Sequence, residues 1–329
     1  MNAKRIAVVG SGNIAKRHIG NIAANWPNYH ITVIHPTGRL ANAEEYSPEI
    51  DVGCFSMVDQ NAFDWAIIAS PSAYHVQHAD YLLAKGVPVL LEKPIAHQIT
   101  DELLRLDAQK HRIRVAYNLR FLSSAQFVKN WLQHHKLGAI HSVIVDVGQF
   151  LPDWRPNKDY RETASARSDL GGGVLLELSH ELDYLQWLFG HFVGCFCNAR
   201  RSGVLELDVE DTADLLLQHS SGWVANVHLD MLQRKPFRVC KIVFERGVLS
   251  WNIIKNTVCL SEGNTPDVVV FDGQDWDRNL MYKNMLVAYQ DTMAGAAREV
   301  CTFDEALATL NLVVSLKSSS EEARWMSLV

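Results

Sequence analysis

The 329-residue sequence predicts an α/β chain: an N-terminal doubly wound parallel sheet, then a C-terminal α+β domain with a large, mainly antiparallel, open-faced sheet. Two observations lead there. Over the first 120 residues, short and nearly continuous apolar runs alternate with stretches whose apolar residues recur every three or four positions. Strands apolar throughout, joined by helices, belong to parallel sheets covered on both faces. Later the runs alternate apolar with polar, as antiparallel strands with one open face do.

In order, "RIAVVG" (5–10), "HITVIH" (30–35), "WAIIAS" (65–70), "VPVLLE" (87–92) and "RIRVAYN" (112–118) read as strands, with "GCFS" (53–56) as a shorter one. Between them "NIAKRHIGNIAANW", "AYHVQHADYLLAKG" and "TDELLRLDAQKH" carry the spacing of amphipathic helices. The second half opens on a helical stretch, "SSAQFVKNWLQHHKLG". The strands "IHSVIVDVGQF", "TADLLLQHSS", "GWVANVHLDM" and "FRVCKIVFERGVLSWNI" follow. One helix, "VLLELSHELDYLQWLFG", interrupts them, and two more close the chain. We place the boundary near 119–123, giving a first domain over 1–120 and a second over 121–329.

Hydrophobic residues are 48% and charged residues 21% of the chain, the balance of a globular protein. A net charge of −6 with both signs interspersed offers no basic field to a nucleic acid. No stretch approaches the ~20 apolar residues of a membrane span, and because "MNAKRIAVVGSGN" enters a strand pattern at once, no signal peptide is expected. Cysteines 54, 195, 197, 240, 259 and 301 have no metal-ligand spacing. We read them as small buried hydrophobes of a reducing cytoplasm and expect no metal.

Gly10-Ser11-Gly12-Asn13-Ile14-Ala15 follows the first strand and opens a helix. Glycines there let backbone N–H groups approach a pyrophosphate at the helix N-terminus, so Gly10, Gly12, Asn13 and Ile14 are expected at a dinucleotide. An acidic residue usually ends the second strand and binds the ribose of NAD. Here His35-Pro36-Thr37-Gly38-Arg39 stands instead, with no carboxylate to repel a 2′-phosphate. NAD or NADP is expected, with a slight lean to NADP through His35 and Arg39; the alternative for Arg39 is a solvated helix residue.

Ligands of open α/β sheets bind beyond the carboxyl ends of the strands. Ser70-Pro71, Glu92-Lys93-Pro94 and Asn118 lie at such ends, and His75 follows closely. Proline fixes φ and restricts its predecessor, so Lys93 is oriented, beside the nicotinamide end of the cofactor. In "GGGVLLELSHELDY" (171–184), Glu177, His180, Glu181 and Asp183 interrupt an otherwise apolar helix, and Glu177 and His180, three apart, are expected to share a face.

These segments, "VVGSGNIA", "DWAIIASPSAYH", "GVPVLLEKPIA", "YNLRF", "KLGAI", "GGGVLLELSHELDYLQWLFG" and "VEDTADLLL", resemble the Gfo/Idh/MocA family of NAD(P)-dependent oxidoreductases over nearly the whole chain. The resemblance implies a Rossmann domain and hydride transfer between nicotinamide and a carbinol or carbonyl of a sugar, sugar derivative or polyol. His180 would be the acid/base, and Lys93 the ammonium that stabilises charge on the reacting oxygen. Many relatives carry Asp four residues before that histidine; here Leu176 stands there and the acid is Glu177, whose role the resemblance leaves open. Asn118 and Arg120 match an Asn-x-Arg-Phe element, and Arg120 either binds substrate or braces the domain junction. Asp183 orients its neighbours, binds substrate or is structural. The family's usual dimer surface implies a homodimer or homotetramer through the open sheet face.

The segment 150–173, "FLPDWRPNKDYRETASARSDLGGG", has little apolar periodicity. Its Arg155, Tyr160, Arg161 and Arg167 could hold an anionic or hydroxyl-rich substrate; the rival reading is a loop tied by internal ion pairs. Two further whole-protein readings stand beside the dehydrogenase: a redox-neutral lyase or glycosidase using bound NAD, and a non-catalytic cofactor-sensing regulator.

Overall fold

The computed structural model describes residues 3–35, 50–134 and 137–328. The chain divides into two compact units, Met1–Asn118 with Tyr282–Leu310, and Leu119–Met281 with Asn311–Val329.

The first unit alternates β1 (Arg5–Val9), α1 (Asn13–Asn25), β2 (His30–Ile34), β3 (Ile50–Gly53), β4 (Trp65–Ile68), α2 (His75–Ala84), β5 (Val89–Leu91), α3 (Asp101–Arg105) and β6 (Ile113–Val115). The six strands are all parallel, in the order β3-β2-β1-β4-β5-β6. The order reverses beside β1, so its carboxyl end opens on the crevice that dinucleotides use in this architecture. Val8 pairs with Val33 on one side and Ile67 on the other, all fully buried. In α1, Ala15, His18, Ile19 and Ile22 form the buried stripe.

Two elements differ from the sequence reading. The third strand is "IDVG", ending at Gly53, and the expected "GCFS" turns into a 3-10 segment at Phe55–Met57. The helix expected over "TDELLRLDAQKH" is α3 alone, followed by 3-10 turns over Leu106–Arg112. Its start is well specified: the Thr100 hydroxyl accepts the Leu103 N–H at 3.2 Å, and Asp101 and Glu102 stand in the first turn.

The second unit begins with α4 (Ser123–His134) and β7 (Ile140–Gly148), then 3-10 turns between Leu151 and Leu170. Next come α5 (Val174–Glu177), α6 (Ser179–Phe189), β8 (Phe192–Arg200), β9 (Thr212–His219), β10 (Val224–Asp230), β11 (Phe237–Phe244), β12 (Val248–Asn252), β13 (Thr257–Ser261) and β14 (Val268–Asp272). Helices α7 (Leu280–Met293) and α8 (Phe303–Glu322) and the short β15 (Met326–Ser327) end the chain. The nine strands run β14-β13-β12-β11-β7-β10-β9-β8-β15, antiparallel except for the pair β7 and β10.

Alternation sorts this sheet into two faces. Val143, Val145, Leu215, Leu217, Ala225, Val227, Cys240 and Ile242 are buried on one. The other carries Ile144, Asp146, Asp214, Leu216, Asn226, His228 and Lys241. All six cysteines are free. Burial pushes the Cys195 thiol up to about 11 and those of Cys197 and Cys240 to about 12, which keeps them protonated and inert. Among the described residues no helix is long and apolar enough to cross a membrane. Nor does any group of three His, Cys, Asp or Glu there have metal-binding geometry.

Candidate active site

In the first unit, β1 runs into Gly10, whose φ of +110° favours glycine. A Cβ there would lie 2.8 Å from the Ala69 carbonyl oxygen, so the turn also depends on close backbone approach. Its N–H donates to Ile34 O at 3.0 Å, tying the turn to the end of β2. Gly12 caps α1 with ordinary dihedrals, and a Cβ built on it meets nothing within 4 Å. No side chain caps the helix, and its first turn, opened by Asn13 and Ile14, carries no acid. An open cradle of uncapped backbone donors fits a pyrophosphate. At the end of β2, His35 Nε2 lies 3.4 Å from Ser11 Oγ; Arg39 lies outside the described residues.

The ends of β4 and β5 are joined by histidines. Ser70 Oγ is 2.9 Å from His78 Nδ1, and Pro71 precedes a 3-10 turn that leads into α2. Burial, then the neighbouring His75, holds the His78 ring down at about 4. The sequence reading sets His75 among the cofactor contacts. Instead its ring is buried, with Nδ1 2.8 Å from Pro94 O and Nε2 2.9 Å from Ser70 O, so it binds the chain itself. Burial lowers its proton affinity against the pull of those carbonyls.

Glu92 is likewise engaged within the protein. One carboxylate oxygen lies 2.6 Å from His18 Nε2, and the other accepts the Lys93 N–H at 3.2 Å. Lys93 follows, half-buried, joined to Pro94 by a cis peptide. Asn118 is buried, and its N–H donates to Ala116 O at 2.8 Å.

In the second unit the expected single helix is two. Leu178, with φ −97° and ψ 26°, separates α5 from α6. The three-residue rule requires a continuous helix, so it no longer supports a shared face for Glu177 and His180. Glu177 ends α5, while His180 stands half-buried in the first turn of α6.

Asp183 and Arg120, both expected near substrate, are buried against each other. The Arg120 guanidinium donates from Nε and Nη2 to the two carboxylate oxygens at 2.9 and 2.8 Å. A fork occupied in this way orients α6 on the 3-10 turn of Asn118–Phe121. Sequence reasoning missed the companion pair two residues away: Arg238 of β11 donates to both oxygens of the fully buried Glu181 at 2.8 and 2.9 Å. A buried acid in an apolar stripe was the available signal; its partner, 57 residues away, was not.

The 150–173 segment is tied to residues 206–208. The Tyr160 hydroxyl accepts the Glu206 N–H, Arg161 pairs with Asp159 and Glu206, and Ser168 donates twice to Asp208. Arg167 is exposed and bound to its neighbour Asp169. The rival reading, a loop held by internal ion pairs, describes Tyr160, Arg161 and Arg167. Arg155 is half-buried.

Also unforeseen is a charged cluster on the open sheet face. His228 lies between Asp214 (Nδ1, 2.7 Å) and Asp230 (Nε2, 3.0 Å), with Arg200 on Asp214 at 2.8 Å. The hydrogen bond to Asp230, then that to Asp214, outweigh burial and raise His228 to about 9.

Comparison with known proteins matches both halves. Residues 4–118 fit the model of the oxidoreductase family with an NAD-binding Rossmann fold, and residues 125–250 fit the GFO/IDH/MocA C-terminal domain. Glucose-6-phosphate 3-dehydrogenase of Bacillus subtilis is 26% identical over 197 residues, 56% of this chain and 54% of that protein. Inositol 2-dehydrogenase 2 of Saccharopolyspora erythraea is 26% identical over 240 residues, 68% and 66% of the two chains. The match thus spans little more than half the length of the first of these relatives. Among solved structures, levoglucosan dehydrogenase in complex with NADH and levoglucosan superposes with a TM-score of 0.85 at 16% identity, over 99% of both chains. The WlbA dehydrogenase of Bordetella pertussis in complex with NADH and UDP-GlcNAcA gives 0.80 at 22%, again over 99% of both.

Proposed function

From the premise that the chain belongs to the GFO/IDH/MocA oxidoreductase family, we propose that it is an NAD(P)-dependent dehydrogenase or reductase acting on a CH–OH group of a sugar, sugar derivative or polyol. The observation that carries this is in the first unit: the open, uncapped turn at Gly10 and Gly12, with Lys93 held at a neighbouring strand end. The names of the relatives, which include a sugar-phosphate and an inositol dehydrogenase, support the substrate class.

In this reading Gly10, Gly12, Asn13 and Ile14 present backbone donors to the pyrophosphate, and Ser70 and Pro71 border the same strand ends. The bound nicotinamide supplies the acceptor or donor of the hydride. His35 stands after β2 where the NAD fingerprint has a carboxylate, which supports NADP(H) beside NAD(H). His180 takes the proton of the carbinol, the role of a histidine as general base. Lys93 donates a hydrogen bond to the reacting oxygen and stabilises the charge that develops there. Arg155 is the remaining candidate of its loop for an anionic or hydroxyl-rich substrate.

We assign the open face of the nine-stranded sheet, where Ile144, Leu216 and Val269 are exposed, to a second copy of the chain. Six free cysteines support a reducing compartment such as the cytoplasm. The test is a fluorescence titration with NADH and, separately, NADPH. Turnover of glucose 6-phosphate, inositol and levoglucosan with the preferred oxidised dinucleotide follows. Saturable binding with turnover of any polyol supports the reading, and binding of neither dinucleotide ends it.

A further inference from the structure

Lys93 is flanked on both sides by residues that a buried histidine holds. On its N-terminal side, Glu92 places one oxygen 2.6 Å from His18 Nε2, while its other oxygen accepts the N–H of Lys93 itself. On its C-terminal side, Pro94 O lies 2.8 Å from His75 Nδ1. The two histidines come from different helices, His18 from the buried stripe of α1 and His75 from the start of α2. His18 is fully buried and His75 1% exposed, so neither serves solubility. His18 Nδ1 makes no hydrogen bond among the described residues, which leaves Glu92 as the ring's one polar partner, with Nε2–H as the donor. The other nitrogen of His75 lies 2.9 Å from Ser70 O, and because a neutral ring carries a single N–H it donates to one of the Pro94 and Ser70 carbonyls at a time.

We propose that His18 and His75 form a two-point clamp whose purpose is to fix the backbone of Lys93: both are positioning residues, His18 acting through the Glu92 carboxylate and His75 through the Pro94 carbonyl. A lysine side chain swings about four rotatable bonds, so the reach of its ammonium is set first by where the Cα is held. The strand supplies one side of that placement, since Glu92 N donates to Ile68 O at 2.9 Å. The clamp supplies the rest, beyond the last paired residue of β5. It explains why two histidines are buried at a strand end where apolar residues would pack at lower cost in desolvation.

The proposal rests on Lys93 being the ammonium of the dehydrogenase reading, yet it is tested without substrate. Reductive ¹³C-methylation converts lysines to dimethyl-lysines, and the Lys93 resonance is identified by its loss in Lys93→Arg. In His18→Gln and His75→Gln the Lys93 signal is expected to shift or broaden while other lysine signals stay in place and the Kd for NADH changes less than about threefold. A Lys93 signal unmoved in both variants overturns the clamp. If one histidine variant fails to fold, the other carries the test. If neither folds, Glu92→Gln, which keeps the shape of the side chain, must move the Lys93 signal or the clamp is overturned. With a substrate in hand, each histidine variant should lose about 10–100-fold in kcat, the scale of a small misplacement, with KM nearly constant. If wild-type protein binds neither dinucleotide, the dehydrogenase reading fails alone, because the Lys93 resonance still reports on the clamp.

Discussion

Arg120 and Asp183 meet through two parallel hydrogen bonds, Nε to Oδ2 at 2.9 Å and Nη2 to Oδ1 at 2.8 Å, with side chains only 4% and 1% exposed. A pair so far from water draws its value from being complete. Removing one partner leaves the other charged and desolvated, which costs about 3–5 kcal/mol. Asp183→Ala should therefore lose most of that in urea denaturation. Replacing both residues, as in Arg120→Met with Asp183→Leu, should cost much less. Equal losses in the single and the double variant would mean that the two do not act as a pair.

The two glycines of the first turn should fail in different ways. Gly10→Ala forces a Cβ into a left-handed backbone and against Ala69 O, so it should destabilise by about 1–3 kcal/mol and weaken NADH binding with it. Gly12→Ala enters open space with ordinary dihedrals, so its Tm should match wild type while NADH binding falls about tenfold. Thermal melts beside fluorescence titrations separate the two.

Lys93→Met and His180→Ala should each lower kcat by about 10²–10⁴-fold with the Kd for the dinucleotide nearly unchanged. Near-normal turnover in either removes that residue from the mechanism.

In the loop, Arg155→Ala should raise KM with kcat preserved. Arg167→Ala should alter neither, because that guanidinium is bound to exposed Asp169 and such pairs contribute little. Steady-state kinetics on both variants decide it.

His228 gives a pH signature. Its proton affinity rises from an ordinary ~6.5 when unfolded to about 9 in the fold, through Asp230 first and Asp214 as well. A raised value stabilises the fold fully below about pH 6.5, and the benefit is lost as pH climbs through about 9. Asp214 and Asp230 are lowered, so their contribution runs the opposite way and fades on acidification. Tm should fall from pH 6.5 to 9.5 more steeply in wild type than in His228→Gln. Identical slopes would show that the cluster does not titrate as a unit. With His228 38% exposed, the effect is a small fraction of total stability.

The parallel sheet was legible because its strands are apolar at nearly every position, a pattern that helices on both faces impose. Gly10, Gly12 and Lys93 were legible for a related reason: strand ends mark where a crevice must be. What stayed hidden is pairing at a distance. Asp183 was visible as an acid in an apolar helix, but nothing in one sequence names Arg120 as its counter-charge or Arg238 as that of Glu181. The break at Leu178 escaped because leucine is a good helix former and carries no stop signal. His18 sat inside a helix pattern as one of its buried positions, and the pattern alone cannot say that its ring reaches Glu92. Helices α7 and α8 showed apolar spacing without showing that Tyr282–Leu310 returns to the first unit.

The parallel pairing of β7 with β10 sets an order of assembly for the larger sheet. Neighbours such as β9 and β10, or β11 and β12, can close soon after they are made, since few residues separate them. Strand β7 cannot. Its partners Val224–Asp230 and Phe237–Phe244 lie some 80 to 100 residues further along the chain. Contacts so remote in sequence slow folding, because the loop must be closed before the pairing repays it. A nascent chain thus holds Val143, Val145 and Val147 without a sheet to join until β10 has emerged. Of all its segments this central strand has the longest wait, and during synthesis it is the one most in need of a chaperone.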